Sequence, residues 1–189
     1  MEAIFTSTAV VALAEIGDKT MLLAIVLATR FCKPLPIILG ILVATLANHG
    51  IAAFLGQTVA SLLEGQWFRY AVGISFIAMA LWTLVPDKLD ESDEPKEPRF
   101  GAFVATTIAF FLVEIGDKTQ VATIALGAQF QCVVLVTLGT TLGMMLANVP
   151  AVYFGNVIVE RVSLKVVRIV AALLFLAIGA WIVWEAAGL

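Results

Sequence analysis

The chain has 189 residues, of which 61% are hydrophobic and only 13% are charged, and its mean hydropathy is +1.04. A soluble domain is about 45–50% apolar and about 25% charged, so this composition predicts a protein of the lipid bilayer. The net charge of -3 offers no basic surface to phosphates, which excludes a nucleic-acid binder.

Six apolar stretches follow one another along the chain, and each is long enough to cross a hydrocarbon core of about 30 Å as a helix. They cover residues 3–30, 35–62, 67–86, 101–129, 133–158 and 164–187. Helices are expected because isolated strands leave backbone groups unsatisfied in lipid, and the sequence has no barrel-type alternation. We therefore predict an all-α membrane protein with six transmembrane helices and no room for a soluble enzymatic domain.

The most informative feature of the sequence is an internal repeat. Residues 15–20, EIGDKT, recur unchanged as residues 114–119, an offset of 99, and Phe76 and Phe175 keep the same offset. The pattern predicts two tandem three-helix units. Because each unit has an odd number of spans, the second must enter the membrane from the opposite side. Such inverted repeats are typical of secondary transporters, whose functional site lies between the halves near the midplane.

A hydrophilic segment rich in acidic residues and proline joins the two units. It covers residues 87–99, DKLDESDEPKEPR, and its composition is typical of a linker. The chain is therefore expected to be a single transmembrane domain over residues 1–189. Repeat one covers residues 1–86 and repeat two covers residues 100–189.

The distribution of lysine and arginine predicts the orientation in the membrane. One face has only Arg69, whereas the face with the first, third and fifth connections has Arg30, Lys33, Lys88, Lys96, Arg99, Arg161, Lys165 and Arg168. The richer face is expected to be cytoplasmic, with the acidic linker inside and both termini outside. Cys32 and Cys132 then lie on opposite faces, too far apart for an intramolecular disulfide.

Each copy of the motif places ionisable residues near the middle of a predicted span. These residues are Glu15, Asp18, Lys19, Glu114, Asp117 and Lys118. A centred Asp or Lys costs about 2.5–3.5 kcal/mol on insertion scales, so such residues must pair or face water. On a continuous helix, the Glu and Asp of each motif share one face, and each Lys is four residues after its Glu. We expect the lysines to pair with these glutamates and balance their charge.

Other residues in or near the motifs are candidate ligands or structural elements. Gly17 and Gly116 either unwind the helix and offer carbonyl oxygens to a cation, or permit close helix packing. Thr20 and Thr119 are candidate ligands, helix caps or hydroxyls bonded to the preceding turn. Gln120 follows the second motif where the first is followed by methionine, and so breaks the symmetry of the site.

Two asparagines occupy equivalent places near the centres of the second and fifth predicted spans. Asn48 and Asn148 either form interhelical hydrogen bonds, coordinate the transported ion, or hold its carboxylate ligands. His49, the only histidine, points about 100° away from Asn48 around the helix. We expect it to face a neighbouring helix, and a proton relay is the alternative role.

The donor groups of the motifs indicate the class of ligand. Carboxylates, amides and hydroxyls, without Cys or His in the motifs, favour Ca²⁺, Mn²⁺ or Mg²⁺ over Zn²⁺ or Cu⁺. Four carboxylates and two ammonium groups leave a net charge of -2. One divalent cation or two protons neutralise that charge, so exchange of the cation for protons is expected, with Na⁺ as an alternative counter-ion.

The duplicated Glu-x-Gly-Asp-Lys-Thr motif closely resembles that of the GDT-type calcium/manganese:cation antiporters. This family is similar in fold and repeat structure to the lysine-exporter superfamily, and it includes eukaryotic Golgi ion transporters and bacterial MneA-type manganese exporters. The resemblance covers essentially the whole chain. It implies that Glu15, Asp18, Glu114 and Asp117 bind the transported cation. It also implies a minimal exporter of a bacterial inner membrane and favours Mn²⁺, with Ca²⁺ still open; no cofactor is implied.

Three other functions are compatible with part of the pattern. A passive divalent-cation channel would use the same carboxylates in a continuous wet pore. An intramembrane aspartyl protease would use Asp18 and Asp117 as a dyad, but the Glu and Lys beside each Asp would disturb proton sharing. A purely structural membrane subunit does not account for six ionisable residues near the midplane.

Overall fold

The computed structural model describes residues 1–63, 65–86, 101–161 and 163–188, which form α-helices and no strands. In chain order the helices are α1 (Glu2–Glu15), α2 (Lys19–Phe31), α3 (Pro34–Leu62), α4 (Gln66–Thr83), α5 (Ala102–Glu114), α6 (Lys118–Phe130), α7 (Val133–Arg161) and α8 (Leu164–Ala187). The predicted linker, residues 87–99, lies outside the described residues. The prediction of an all-α protein is confirmed for the part of the chain that the structure describes.

Several helices have the length and composition of membrane spans. Within the described ranges, Pro34–Leu62, Val133–Gly155 and Leu164–Ala187 are long and apolar enough to cross a bilayer, and Ala102–Glu114 is a shorter apolar helix. Large apolar side chains are exposed along them, for example Phe54, Leu146 and Leu173. Such a surface suits lipid rather than water.

The first and fourth predicted spans are each divided into two helices. Each was predicted as one apolar span, over residues 3–30 and 101–129, but α1 ends at Glu15 and α5 ends at Glu114. The chain turns at Gly17 and Gly116, where φ is +84° and +79°. Glycine adopts this left-handed conformation at no steric cost, whereas other residues do so rarely. Of the two alternatives considered for Gly17 and Gly116, unwinding of the helix is the one that the structure shows.

The long helices α3 and α7 each pack along the divided helices of the other repeat. A Cβ on Gly40 would lie 2.8 Å from the carbonyl oxygen of Phe103, and one on Gly56 would lie 2.0 Å from that of Ile124. Helix α3 therefore runs in the same direction as α5 and α6, with backbones in close approach. Helix α7 follows α1 and α2 in the same way, through Gly139 against Ile4 and Gly155 against Ile25.

The last helices of the two repeats, α4 and α8, pack against each other. A Cβ on Gly179 would lie 2.7 Å from the carbonyl oxygen of Gly73, so only small residues permit this approach. The rings of Phe76 and Phe175, which are equivalent in the repeat, lie 6.2 Å apart in the core. Equivalent residues from both repeats thus meet across the fold.

Both cysteines lie at the ends of short helices. Cys32 follows α2 and is exposed, whereas Cys132 lies between α6 and α7 and is partly buried. Both are free thiols.

Candidate metal centre

The candidate metal centre lies where the two unwound segments face each other. Glu15 is the last residue of α1 and Asp18 is the N-cap of α2, while Glu114 and Asp117 hold the same places between α5 and α6. The segments therefore bring two helix C-termini and two helix N-termini to one place. Helix ends carry backbone groups without intrahelical partners and the partial charges of the helix dipole, and both can interact with an ion.

Three carboxylates from the two repeats form a buried cluster. One carboxylate oxygen from each of Glu15, Glu114 and Asp117 lies within 4.8 Å of the others. The glutamates are fully buried, and Asp117 is 4% exposed. Oxygen ligands lie about 2.0–2.6 Å from Mg²⁺ or Ca²⁺, so oxygens on opposite sides of one ion are separated by about 4–5 Å. The cluster therefore has the size of a site for one divalent cation.

Asp18 is buried but lies outside this group of three, and it takes part in one of two ion pairs that cross between the motifs. Nζ of Lys118 lies 3.4 Å from Oδ1 of Asp18, and Nζ of Lys19 lies 3.2 Å from Oδ1 of Asp117. Lys118 also donates to the carbonyl oxygen of Val85, at 3.4 Å. Each lysine is thus paired with the aspartate of the opposite repeat.

The expected pairing of each lysine with the glutamate of its own motif is wrong. The expectation assumed a continuous helix, in which residues four apart are neighbours on one face. Glu15 ends one helix and Lys19 begins the next, with Gly17 in a left-handed turn between them. The turn redirects the lysine toward the other motif, and the shared helix face predicted for Glu15 and Asp18 is lost for the same reason.

Glu15 is held by hydroxyl groups from both repeats. Thr20 Oγ1 donates a hydrogen bond to Oε2 of Glu15, and Thr119 Oγ1 donates one to Oε1. Both threonines are buried. This role, in which the hydroxyls donate hydrogen bonds to a carboxylate and fix its orientation, was not among those considered from the sequence.

Glu114 has a different neighbour, which the sequence analysis did not include in the site. Nε2 of His49 lies 3.6 Å from Oε2 of Glu114, and both side chains are fully buried. His49 does face a neighbouring helix, as expected, but that helix is the one that ends in the motif glutamate. A signal was present in the sequence, because an ionisable residue in the middle of an apolar span is costly and typically marks a functional site.

The amide side chains are arranged differently in the two repeats. Nε2 of Gln120 donates to Oδ1 of Asn48 at 3.0 Å, and Oε1 of Gln120 accepts from the backbone N–H of Gly116 at 2.8 Å. Asn148 donates within its own helix to the carbonyl oxygen of Met144, at 3.0 Å. Gln120 therefore ties Asn48 to the second unwound segment, which is the asymmetry that its position in the sequence predicted.

Both repeats of the chain match a known protein family. Residues 3–91 and 102–188 match the family model described as the divalent cation/proton antiporter GDT1. The chain belongs to the GDT1 family. The resemblance inferred from the duplicated motif is thereby confirmed. GDT1 proteins are membrane transporters rather than enzymes, which confirms the prediction that this chain is not an enzyme and argues against the protease.

Related proteins occur in bacteria and plants. The chain is 51% identical over 177 residues to a Vibrio cholerae protein described as a candidate manganese exporter, covering 93% of this chain and 88% of that protein. It is 29% identical to GDT1-like protein 3 of Arabidopsis thaliana, covering 93% of this chain and 68% of that protein. It is also 29% identical to GDT1-like protein sll0615 of Synechocystis, covering 87% and 88%. No solved structure matches the chain significantly.

Proposed function

We propose that this GDT1-family chain exports Mn²⁺ from the cytoplasm in exchange for protons. The observation that carries the proposal is the buried group of Glu15, Glu114 and Asp117, to which both repeats contribute. Oxygen donors favour hard divalent cations. The name of the Vibrio cholerae relative supports Mn²⁺ among them, and Ca²⁺ is the second candidate.

The remaining predicted site residues surround this group in the proposal. Asp18 is a fourth carboxylate at the edge of the site, and Thr20 and Thr119 orient Glu15. Asn48, Asn148 and Gln120 provide amide oxygens to the cation or hold its ligands. Lys19 and Lys118 balance the charge of the two aspartates.

The ion pairs suggest how the exchange is coupled. Lys19 and Lys118 each pair with one aspartate, so the four carboxylates and two ammonium groups leave a charge of -2 on Glu15 and Glu114. One divalent cation or two protons neutralise it. A buried net charge is expensive in a low-dielectric environment, so only the cation-loaded and the doubly protonated forms change between outward-facing and inward-facing states at low cost. If only these two neutral forms change conformation, the protein exchanges one Mn²⁺ for two protons.

We further propose that the fold comprises six membrane spans in two inverted repeats. Spans one and four are the divided helices α1–α2 and α5–α6. The first half of each divided helix contacts the second half of the other: α1 contacts α6, and α2 contacts α5. The divided helices therefore run opposite to each other, which supports inversion. In this proposal the linker is cytoplasmic and both termini are outside, as the lysine and arginine distribution favours, in a bacterial inner membrane.

A comparison of glutamine variants tests the site. E15Q and E114Q remove one charge each from the two repeats and nearly preserve shape. Both should reduce Mn²⁺ transport in proteoliposomes to the level of empty liposomes, while E185Q, at an exposed glutamate paired with Arg69, should transport normally. Monodisperse elution of each variant in detergent excludes unfolding as the cause. Normal transport by one motif variant and not the other would contradict a site shared by both repeats.

A further inference from the structure

The two motif glutamates have different surroundings, although their motifs are identical. Both carboxylate oxygens of Glu15 accept hydrogen bonds from threonine hydroxyls. Neither oxygen of Glu114 accepts a hydrogen bond from the residues that the structure describes. Oε2 of Glu114 instead lies 3.6 Å from Nε2 of His49. The orientation of Glu114 is therefore much less restricted than that of Glu15.

His49 is a feature of one repeat only. The Leu-Ala-Asn triplets that end at Asn48 and Asn148 align the repeats at an offset of 100. In this alignment Val149 is equivalent to His49. The imidazole is fully buried, and neither ring nitrogen has a hydrogen bond to the described residues. A buried imidazole without a hydrogen bond is energetically costly, so its position beside a carboxylate requires a functional explanation.

We propose that His49 is a positioning residue, which orients the Glu114 carboxylate toward the cation by donating a hydrogen bond from Nε2–H. The inference rests on the proposed cation site. A neutral imidazole has one N–H donor, and a shift of about 0.6 Å brings the two atoms to the usual hydrogen-bond distance of about 3.0 Å. His49 then does for Glu114 what the two threonines do for Glu15.

The geometry favours this role over direct coordination of the cation. The ligand atoms that gather within 4.8 Å come from Glu15, Glu114 and Asp117, and no nitrogen of His49 belongs to that group. The imidazole is therefore next to one ligand, Glu114, but outside the group of three. Hydrogen-bond donors behind a metal ligand fix its orientation, and their loss typically reduces metal affinity about tenfold to 100-fold.

The experiment measures KM and maximal rate for Mn²⁺ and Ca²⁺ with H49L, H49Q and H49N in proteoliposomes. H49L removes the donor, H49Q retains an N–H of similar reach, and H49N carries the amide on a shorter side chain. V149A, at the equivalent position of the other repeat, is the matched control. We expect H49L and H49N to raise the KM for both ions by the same factor, about tenfold to 100-fold, with little change in maximal rate. H49Q should recover most of the affinity.

Pulsed EPR of Mn²⁺ bound to the purified wild-type protein provides a second readout. A positioning role predicts no ¹⁴N coupling of the strength given by a directly bound imidazole. Such a coupling, or a loss of Mn²⁺ affinity without a loss of Ca²⁺ affinity, would make His49 a ligand and overturn the proposal, because nitrogen ligands prefer transition ions. An unchanged KM in H49L would also overturn it. If E114Q abolishes transport in the same preparation, only this inference fails; if E114Q transports normally, the proposed site fails as well.

Discussion

The ammonium group of Lys19 lies 3.2 Å from Oδ1 of Asp117, so the lysine of the first motif is paired with the aspartate of the second. The reciprocal pair joins Lys118 and Asp18. The two motifs are therefore connected by charge in both directions at the candidate site. Any movement of one repeat relative to the other must preserve these pairs or replace them.

The more buried of the two ion pairs should contribute more to stability. The Lys118 side chain is 5% exposed and that of Lys19 is 22% exposed. Removing either lysine leaves a buried aspartate uncompensated at a cost of about 3–5 kcal/mol, and water that enters at the more exposed Lys19 position can hydrate Asp117 and reduce this cost. We expect K118M to lose about that much and K19M clearly less, measured by SDS titration of the purified protein. The double variant K118M/D18N should recover part of the loss; no recovery would mean that the lysine stabilises the fold through other contacts.

The two motif glycines should differ in their tolerance of alanine. Both have positive φ, which costs an L-residue about 1–2 kcal/mol. A Cβ on Gly116 would meet nothing within 4 Å, whereas one on Gly17 would lie 2.7 Å from Cδ2 of Leu164. Thermal unfolding in detergent should therefore show a larger decrease in Tm for G17A than for G116A. Equal effects would indicate that Leu164 moves aside at no cost, and G17A/L164A tests this directly.

The threonine hydroxyls should contribute to cation affinity through Glu15. T119V removes a hydrogen bond to one oxygen of Glu15 and nearly preserves side-chain volume. Loss of a hydrogen bond that orients a metal ligand typically reduces metal affinity about tenfold to 100-fold, so isothermal titration should show Mn²⁺ affinity reduced by about tenfold or more. T119S should bind normally. T123V is the matched control, since the hydroxyl of Thr123 only bonds back to the carbonyl oxygen of Thr119; an equal loss in T123V would point to a general packing effect.

The native cysteines offer a test of orientation. Cys32 and Cys132 are free and follow equivalent helices of the two repeats. In the single-cysteine variants C132A and C32A, an impermeant maleimide should modify Cys32 only from the cytoplasmic side and Cys132 only from outside. Labelling of both thiols from the same side of the membrane would contradict the inverted repeat.

The general design of the site could be predicted because its signals are local in the sequence. The repeated hexapeptide identified both copies of the motif, and a glycine between charged residues indicated a break in each helix as one of two alternatives. Contacts across the repeats were not accessible in this way. The pairing of Lys19 with Asp117 depends on where the turn at Gly17 directs the chain, and helical spacing could not supply that direction.

His49 illustrates the same limit. The prediction that it faces a neighbouring helix was correct, but the identity of that helix is a property of the tertiary fold. Helix α3 packs along the divided helix of the other repeat, so His49 meets Glu114 rather than Glu15. The different surroundings of the two glutamates likewise arise from packing between repeats, because the motif sequences are identical.

The most direct test of cation/proton exchange is the stoichiometry of the reconstituted protein. Proteoliposomes with a pH-sensitive dye inside receive Mn²⁺ outside, at equal pH and with the membrane voltage clamped at zero. The charge of -2 on Glu15 and Glu114 predicts that two protons leave for each Mn²⁺ that enters, so the interior becomes alkaline in proportion to Mn²⁺ uptake. Saturable Mn²⁺ uptake with no outward flow of protons would contradict the exchange and favour a passive channel.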